Sequence, residues 1–299
     1  MSVANAPELQ DRPQIGIPMM LAAWCLFAMV DTSVKWLVLL GLPALQLAFM
    51  RYATQFAVTL AISGTGGSGS LWPGKDIAGM LLIRAALLLS ATVFNFIALR
   101  FLELTVTAAI MFSSPIIVSA LSGPLLGERV GLWRWAAICI GFLGVLTVIR
   151  PFGESFHWSS LLIVYNAFAL ALFSILTRKL SDRISPQTMQ FYLGGLGTAA
   201  LLPAAVWVWS APTTTTGWVV MGLVGLWAWG GHELFARAHR LAQAATLMPF
   251  AYSFIIFMAL GSYLLFNDLP DAFTVLGAAL IVLSGLLIWW RKQRRLAIA

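Results

Sequence analysis

Ten apolar stretches follow one another along the chain, near residues 17–40, 43–63, 77–99, 104–126, 132–149, 158–180, 186–209, 216–238, 243–266 and 271–290. At 1.5 Å per helical residue, stretches of this length cross about 30 Å of hydrocarbon. Between them stands turn chemistry: Gly41-Leu42-Pro43, the run from Ser63 to Gly74, Arg150-Pro151-Phe152-Gly153, and Ala211-Pro212 with four threonines. In lipid the backbone must satisfy its own hydrogen bonds. The expected fold is therefore an all-α integral membrane protein of ten transmembrane helices. Composition agrees with it. Of 299 residues, 60% are apolar or aromatic and only 10% charged, where about 25% charged is usual in soluble domains. So few charges cannot clothe a surface in water, which excludes the soluble classes.

The net charge of +7 matters through its placement and gives no pointer to nucleic acid. With a cytoplasmic N-terminus, that side holds Arg12, Lys75, Arg129, Arg134, Arg178, Lys179, Arg183, Arg237, Arg240, Arg291, Lys292, Arg294 and Arg295, and the opposite side holds Arg100 and Arg150. The bias places both termini in the cytoplasm of a bacterial-type inner membrane. Trp36, Trp72, Trp133, Trp135, Trp158, Trp207, Trp209, Trp218, Trp289 and Trp290 lie near span ends, as an interfacial belt requires. Cys25 and Cys139 sit inside apolar runs and read as packing residues. The N-terminus lacks a basic region and a cleavage site, so the first apolar run is expected to stay as a helix.

An offset of 140 residues lays the first five spans on the second five, pairing Arg100 with Arg240, Ser113 with Ser253, Ser122 with Ser262 and Glu128 with Asp268. Five is odd, so the second copy enters the bilayer from the opposite side. The expected organisation is two inverted five-helix repeats, 1–150 and 151–299, the second ending in a basic tail. Inverted repeats recur in secondary transporters, whose substrate site lies near the midplane between them. Ala98-Leu99-Arg100, Ala108, Pro115 and Gly127-Glu128-Arg129, with Ala238-His239-Arg240, Ala245, Pro249-Phe250, Tyr252 and Gly277-Ala278-Ala279-Leu280 in the second half, resemble the EamA branch of the drug/metabolite transporter superfamily. The resemblance implies a central cavity walled by helices 1, 3, 4, 6, 8 and 9. It also implies export of amino acids or other small metabolites.

Ionisable groups inside spans cost about 2.5–3.5 kcal/mol each on insertion scales, so each needs a partner or a wet cavity. Asp31 and Lys35, like Glu233 and Arg237, stand four residues apart and can pair along a helix. Arg51 and Arg84 have no such neighbour. Arg84 shares a face with Leu88, Ala91 and Asn95; it either lines a cavity, where it would attract a substrate carboxylate, or snorkels to the interface. His232, one heptad from His239, is a packing group or a proton carrier. The candidate substrate wall combines Trp24, Arg84, Asn95, Ser113, Ser114, Tyr165, Asn166, His232, Tyr252 and Ser253, with Pro115 and Pro249 bending their helices. No metal-ligand spacing, phosphate loop or cofactor motif occurs in the sequence.

The chain is thus expected to be a non-enzymatic, alternating-access exporter of aromatic or bulky apolar amino acids and related metabolites. Its partners would be its substrate and membrane lipid. The substrate would move down its own gradient, or against protons through His232 or Glu233. Transport of another solute, a nucleobase or a drug, is the alternative. A membrane-embedded enzyme would need a convergent acid, base or nucleophile, and none is present.

Overall fold

A computed structural model describes residues 12–63, 75–126, 132–151, 153, 156–181, 184, 186–242 and 247–296. The described residues form helices α1 (Pro13–Leu39), α2 (Ala44–Ser63), α3 (Lys75–Ala98), α4 (Leu104–Met111), α5 (Ser114–Leu126), α6 (Leu132–Ile149), α7 (Ser159–Ser181), α8 (Pro186–Trp207) and α9 (Thr215–Leu241), then a 3-10 helix (Met248–Tyr252), α10 (Ser253–Phe266) and α11 (Ala272–Leu296). No β-strand occurs among them.

Six helices (α1, α3, α7, α8, α9 and α11) are long and apolar enough to cross a membrane. α2 has the length, but it carries Gln46, Arg51, Gln55 and Thr59, which dilute its apolarity. The span expected over 104–126 is not one helix: α4 ends at Met111 and α5 begins at Ser114. Pro115, second residue of α5, has no N–H to give, so it tolerates a first turn and not a helix interior. In the last part of the chain, Pro249 lies in the first turn of the 3-10 helix before α10. Residues 127–131 and 243–246 fall outside the described set, and with them Gly127-Glu128-Arg129 and Ala245.

The helices pack in pairs: α1 along α9, α3 along α7, α2 along α8, and α6 along α11, with α4 crossing α10. One continuous apolar core runs through them, from Val30, Val34 and Leu37 of α1 to Ile163, Val224 and Met258. Polar groups in that core are bonded across helices. Gln46 of α2 donates to the Ser210 carbonyl and accepts from the Ser210 N–H, both at 2.8 Å. Gln55 donates to Gln190 of α8 at 2.8 Å. Lipid supplies no such partners, so these bonds hold α2 against α8 and the segment that follows it.

The α6·α11 pair approaches backbone to backbone. A Cβ on Gly277 would meet the Gly144 carbonyl at 2.6 Å and Val148 Cγ2 at 2.5 Å, and one on Gly144 would meet the Gly277 carbonyl at 2.8 Å. Small residues permit this approach, and dispersion then holds the helices together. Gly277→Leu should destabilise the protein by about 1–3 kcal/mol, the usual cost of overpacking, read as a lowered Tm in detergent. An unchanged Tm would show that the two helices do not meet at this crossing.

Candidate functional site

On α1, Trp24, Phe27, Asp31 and Lys35 follow at intervals of three and four, which sets them on one face. The first two build an aromatic box. Trp24 contacts Phe27 at 5.6 Å between ring centroids, Phe112 at 6.1 Å, Phe235 of α9 at 6.0 Å and Phe254 of α10 at 5.6 Å. Phe112 occupies the break between α4 and α5, and its ring touches Tyr252, the last residue of the 3-10 helix, at 5.2 Å. Positions 112 and 252 are 140 apart, the repeat offset. The next residue in each half behaves alike: Ser113 Oγ donates to the Ile110 carbonyl and Ser253 Oγ to the Phe250 carbonyl, both at 2.7 Å. Both hydroxyls thus turn back on the local backbone, onto carbonyls that also accept the same serine's N–H. That differs from the substrate-facing role expected of them.

Trp24, Phe27, His232 and Tyr252 keep partial exposure although α1 packs against α9, α10 and α4. Two polar atoms in the box are buried without a hydrogen-bond partner among the described residues: Trp24 Nε1 and His232 Nε2. The His232 and Phe27 rings lie 5.0 Å apart. A buried, unsatisfied donor or acceptor costs about 1–3 kcal/mol, so these two nitrogens are free to bond a further polar atom.

One to two turns along α1 lies a second group. Asn95 of α3 donates to Asp31 Oδ1 at 3.1 Å, and both residues are buried. Arg51 of α2 donates to Thr92 of α3 at 2.5 Å, and its guanidinium lies 5.4 Å from the Tyr52 ring and 5.9 Å from that of Phe96. Tyr52 shares a 2.9 Å hydrogen bond with Thr92 and donates to the Leu88 carbonyl at 3.2 Å. Arg84 is buried, not snorkelling. Its Nε donates to Thr177 of α7 at 2.7 Å, and its guanidinium sits 4.2 Å from the Phe173 ring. Leu88, Ala91 and Asn95 are buried beside it, as a shared inner face requires.

The expected Asp31–Lys35 pair does not form. Lys35 Nζ donates to the Leu102 carbonyl at 3.0 Å, lies 3.6 Å from Asp268 Oδ2, and is 5.0 Å from the Phe266 ring centroid. Asp31 instead meets Asn95. The two side chains find different partners because different helices cover them, α3 at Asp31 and the α10–α11 turn at Lys35. Asn267 makes that turn by taking a left-handed conformation at φ 56°, which Asn tolerates. Arg150, also left-handed at φ 47°, binds Asp271 at 2.6 Å beside it. The Glu233–Arg237 pair forms as expected, 2.7 Å apart.

Other expected wall residues lie elsewhere. Tyr165 is 38% exposed and packs against Phe94, its hydroxyl 2.9 Å from that of Ser90. That contact places it between α3 and α7, away from Trp24. Asn166 is buried on α7, and Ser114 is only half-buried at the start of α5. Phe27, Phe112, Phe235 and Phe254 escaped the sequence reading because phenylalanine looks like any apolar core residue. Phe27, three residues after Trp24, carried a usable signal.

Glu103, in the turn between α3 and α4, sits near Lys35, Asp268 and Asp271. Burial, and next the Asp268 carboxylate, raise its carboxyl above the ordinary 4.5. The native state therefore holds that proton more tightly than the unfolded chain and loses stability as pH rises through the interval just above 4.5. Glu103→Gln should flatten this decline, so that the variant's Tm exceeds that of the wild type at neutral pH and matches it at low pH. A wild-type Tm that climbs through the same interval would contradict the assignment.

The EamA-like transporter family matches the chain twice, at residues 14–150 and 157–290. A riboflavin transporter of Vibrio cholerae serotype O1 is 31% identical over 96% of this chain and 98% of that protein. An S-adenosylmethionine uptake transporter of Rickettsia prowazekii is 24% identical over 92% of this chain and 94% of its own. A pseudopaline exporter of Pseudomonas aeruginosa is 26% identical over 81% and 85%. A crystal structure 17% identical in sequence superposes over 94% of this chain and 97% of its own at a TM-score of 0.64, which shows a shared fold. These relatives are transporters of small molecules, and they do not single out amino acids. Helices fit to cross a membrane, a polar interior held by inter-helix bonds and a double match to one family lead to one conclusion: this multi-pass membrane protein belongs to the EamA-like transporters of the drug/metabolite transporter superfamily, which carry small metabolites.

Proposed function

We propose that this chain is an alternating-access transporter whose substrate is a small metabolite with a flat aromatic ring. The aromatic box around Trp24, with the unpartnered Trp24 Nε1 and His232 Nε2 at its edge, carries this reading. Such a box takes a ring by stacking and edge contacts worth about 0.5–1.5 kcal/mol each beyond buried area, and the two nitrogens take polar atoms on the ring's rim. Riboflavin is the first solute to try, since a relative 31% identical bears that name. The unpaired positive charges of Arg51 and Arg84 favour a second reading, aromatic amino acids, whose carboxylate they would attract.

The proposed architecture is two inverted repeats, 1–150 and 151–299, in an inner membrane with both termini cytoplasmic. Exchange of the two halves turns the α1·α9 pair into α7·α3 and returns α2·α8 and α6·α11 to themselves, which supports this division. The two family matches fall on the same halves. The rings of Phe112 and Tyr252, in contact at equivalent positions, would then lie near the axis about which the halves rock.

In proteoliposomes, labelled riboflavin should equilibrate across the bilayer, and Trp24→Ala should weaken its apparent affinity about tenfold, or 1.4 kcal/mol. Flux of amino acids or cationic drugs without any of riboflavin would remove the flavin assignment. Arg84→Ala with unchanged amino-acid affinity would remove the carboxylate contact.

A further inference from the structure

Asn95 offers one amide to Asp31, and only half of it is used. Its Nδ2 donates to Asp31 Oδ1 at 3.1 Å. Its Oδ1 is buried and has no hydrogen-bond partner among the described residues. An ionised carboxylate cannot fill that vacancy, because it only accepts. A protonated one can: its O–H would donate to Asn95 Oδ1 while Nδ2 continues to donate back, closing an acid–amide ring with two bonds. Asp31 is 7% and Asn95 5% exposed, so water competes poorly for either partner. Beside them, Arg51 Nε is also buried and unpartnered, and Arg51 lies within electrostatic reach of Asp31 without an ion pair among the described residues.

We infer that the Asp31–Asn95 pair is a proton-binding site built into the transport pathway, and that Arg51 links its occupancy to that of the substrate. Two states follow from the groups present. With Asp31 ionised, Arg51 is its counter-charge. With Asp31 protonated, the acid–amide ring is complete and Arg51 is left to bind an electron-rich or anionic group of the substrate. Linkage is reciprocal, so a substrate that engages Arg51 also tightens the proton on Asp31. Proton and substrate therefore bind together and move in the same direction. The proton enters from water on one side and leaves to water on the other, with no bond made or broken except O–H.

The surrounding charges are otherwise committed. On α1, Lys35 is held by Asp268 and the Leu102 carbonyl. On α2, Tyr52 is bonded to Thr92 and Leu88. On α3, Arg84 is bonded to Thr177. On α9, Glu233 is paired with Arg237 at an exposed site; His232, whose Nε2 has no partner among the described residues, lies against Phe27 in the aromatic box and not against Asp31. Glu103 and Asp271 belong to the group of charges around Asp268. This assigns the proton to Asp31 in place of the His232 or Glu233 route expected from sequence.

The inference rests on the transporter reading and not on any one solute, and the test separates the two. In wild-type protein in nanodiscs, infrared difference spectra taken across a pH titration should show a protonated-carboxyl band. Asp31→Asn should remove one component of that band, a component that Glu103→Gln leaves in place. Asn95→Leu should shift its midpoint. In liposomes, with riboflavin as probe, acid outside should drive uptake of about tenfold per pH unit for one proton per substrate. Asp31→Asn should still exchange substrate between the two sides yet accumulate none. A titrating band identical in wild type and Asp31→Asn, or uphill uptake that survives in the variant, would overturn the inference. So would accumulation driven by alkali outside. If riboflavin does not move at all, the substrate reading fails, while the spectra still decide the proton site.

Discussion

Hydrocarbon offers a polar group nothing to bond with, and the interior of this protein is arranged around that fact. Helices satisfy their own backbones, but Gln46, Arg51, Gln55, Arg84 and Asn95 must find partners on other helices. Each such bond fixes a neighbour: Gln55 brings α2 to α8, Gln46 ties α2 to the segment that follows α8, Arg84 brings α3 to α7, and Asn95 brings α3 to α1. Apolar packing alone is less selective, because lipid tails are as apolar as a leucine face. The polar residues thus choose the helix pairs, and close packing follows.

The same constraint makes unsatisfied atoms informative. Trp24 Nε1, His232 Nε2, Asn95 Oδ1 and Arg51 Nε are buried without partners among the described residues, and they lie on α1, α9, α3 and α2 along the face of α1 that bears Trp24 and Asp31. Gln55 Oε1, Arg150 Nε, Ser262 Oγ and Thr274 Oγ1 share that state, but the four along α1 stand where the proposed solute and proton would complete them. The breaks beside Phe112 and before Ser253 fit the same logic. Their serines return hydrogen bonds to local carbonyls, so each interruption is stabilised from within its own helix.

Much of this was legible in the order of residues. Apolar length located the helices, and 132–149 is a helix between the expected ends. Helical spacing foretold the Glu233–Arg237 pair and the buried face from Arg84 to Asn95. Contacts between distant parts of the chain were not legible. Thr92 as the partner of Arg51 lies 41 residues away, and Thr177 as the partner of Arg84 lies 93 away; neither threonine announces such a role. Local spacing misled at Asp31 and Lys35, because four residues along a helix permit a pair while tertiary partners compete for both groups. The repeat offset misled at Tyr165, since equal position in two copies does not mean equal facing.

The close approach of Gly144 and Gly277 has a consequence for how such a molecule can move. Side chains that meet through long flexible ends can slide and repack, whereas two backbones in contact have almost no play. α6 and α11 can therefore tilt about this crossing but not slide along it. Since one belongs to each proposed repeat, rocking of the repeats would pivot here, which makes the crossing the frame of reference for the motion. A probe fixed there, as on the exposed Cys139 of α6, would report the displacement of every other helix from a stationary point.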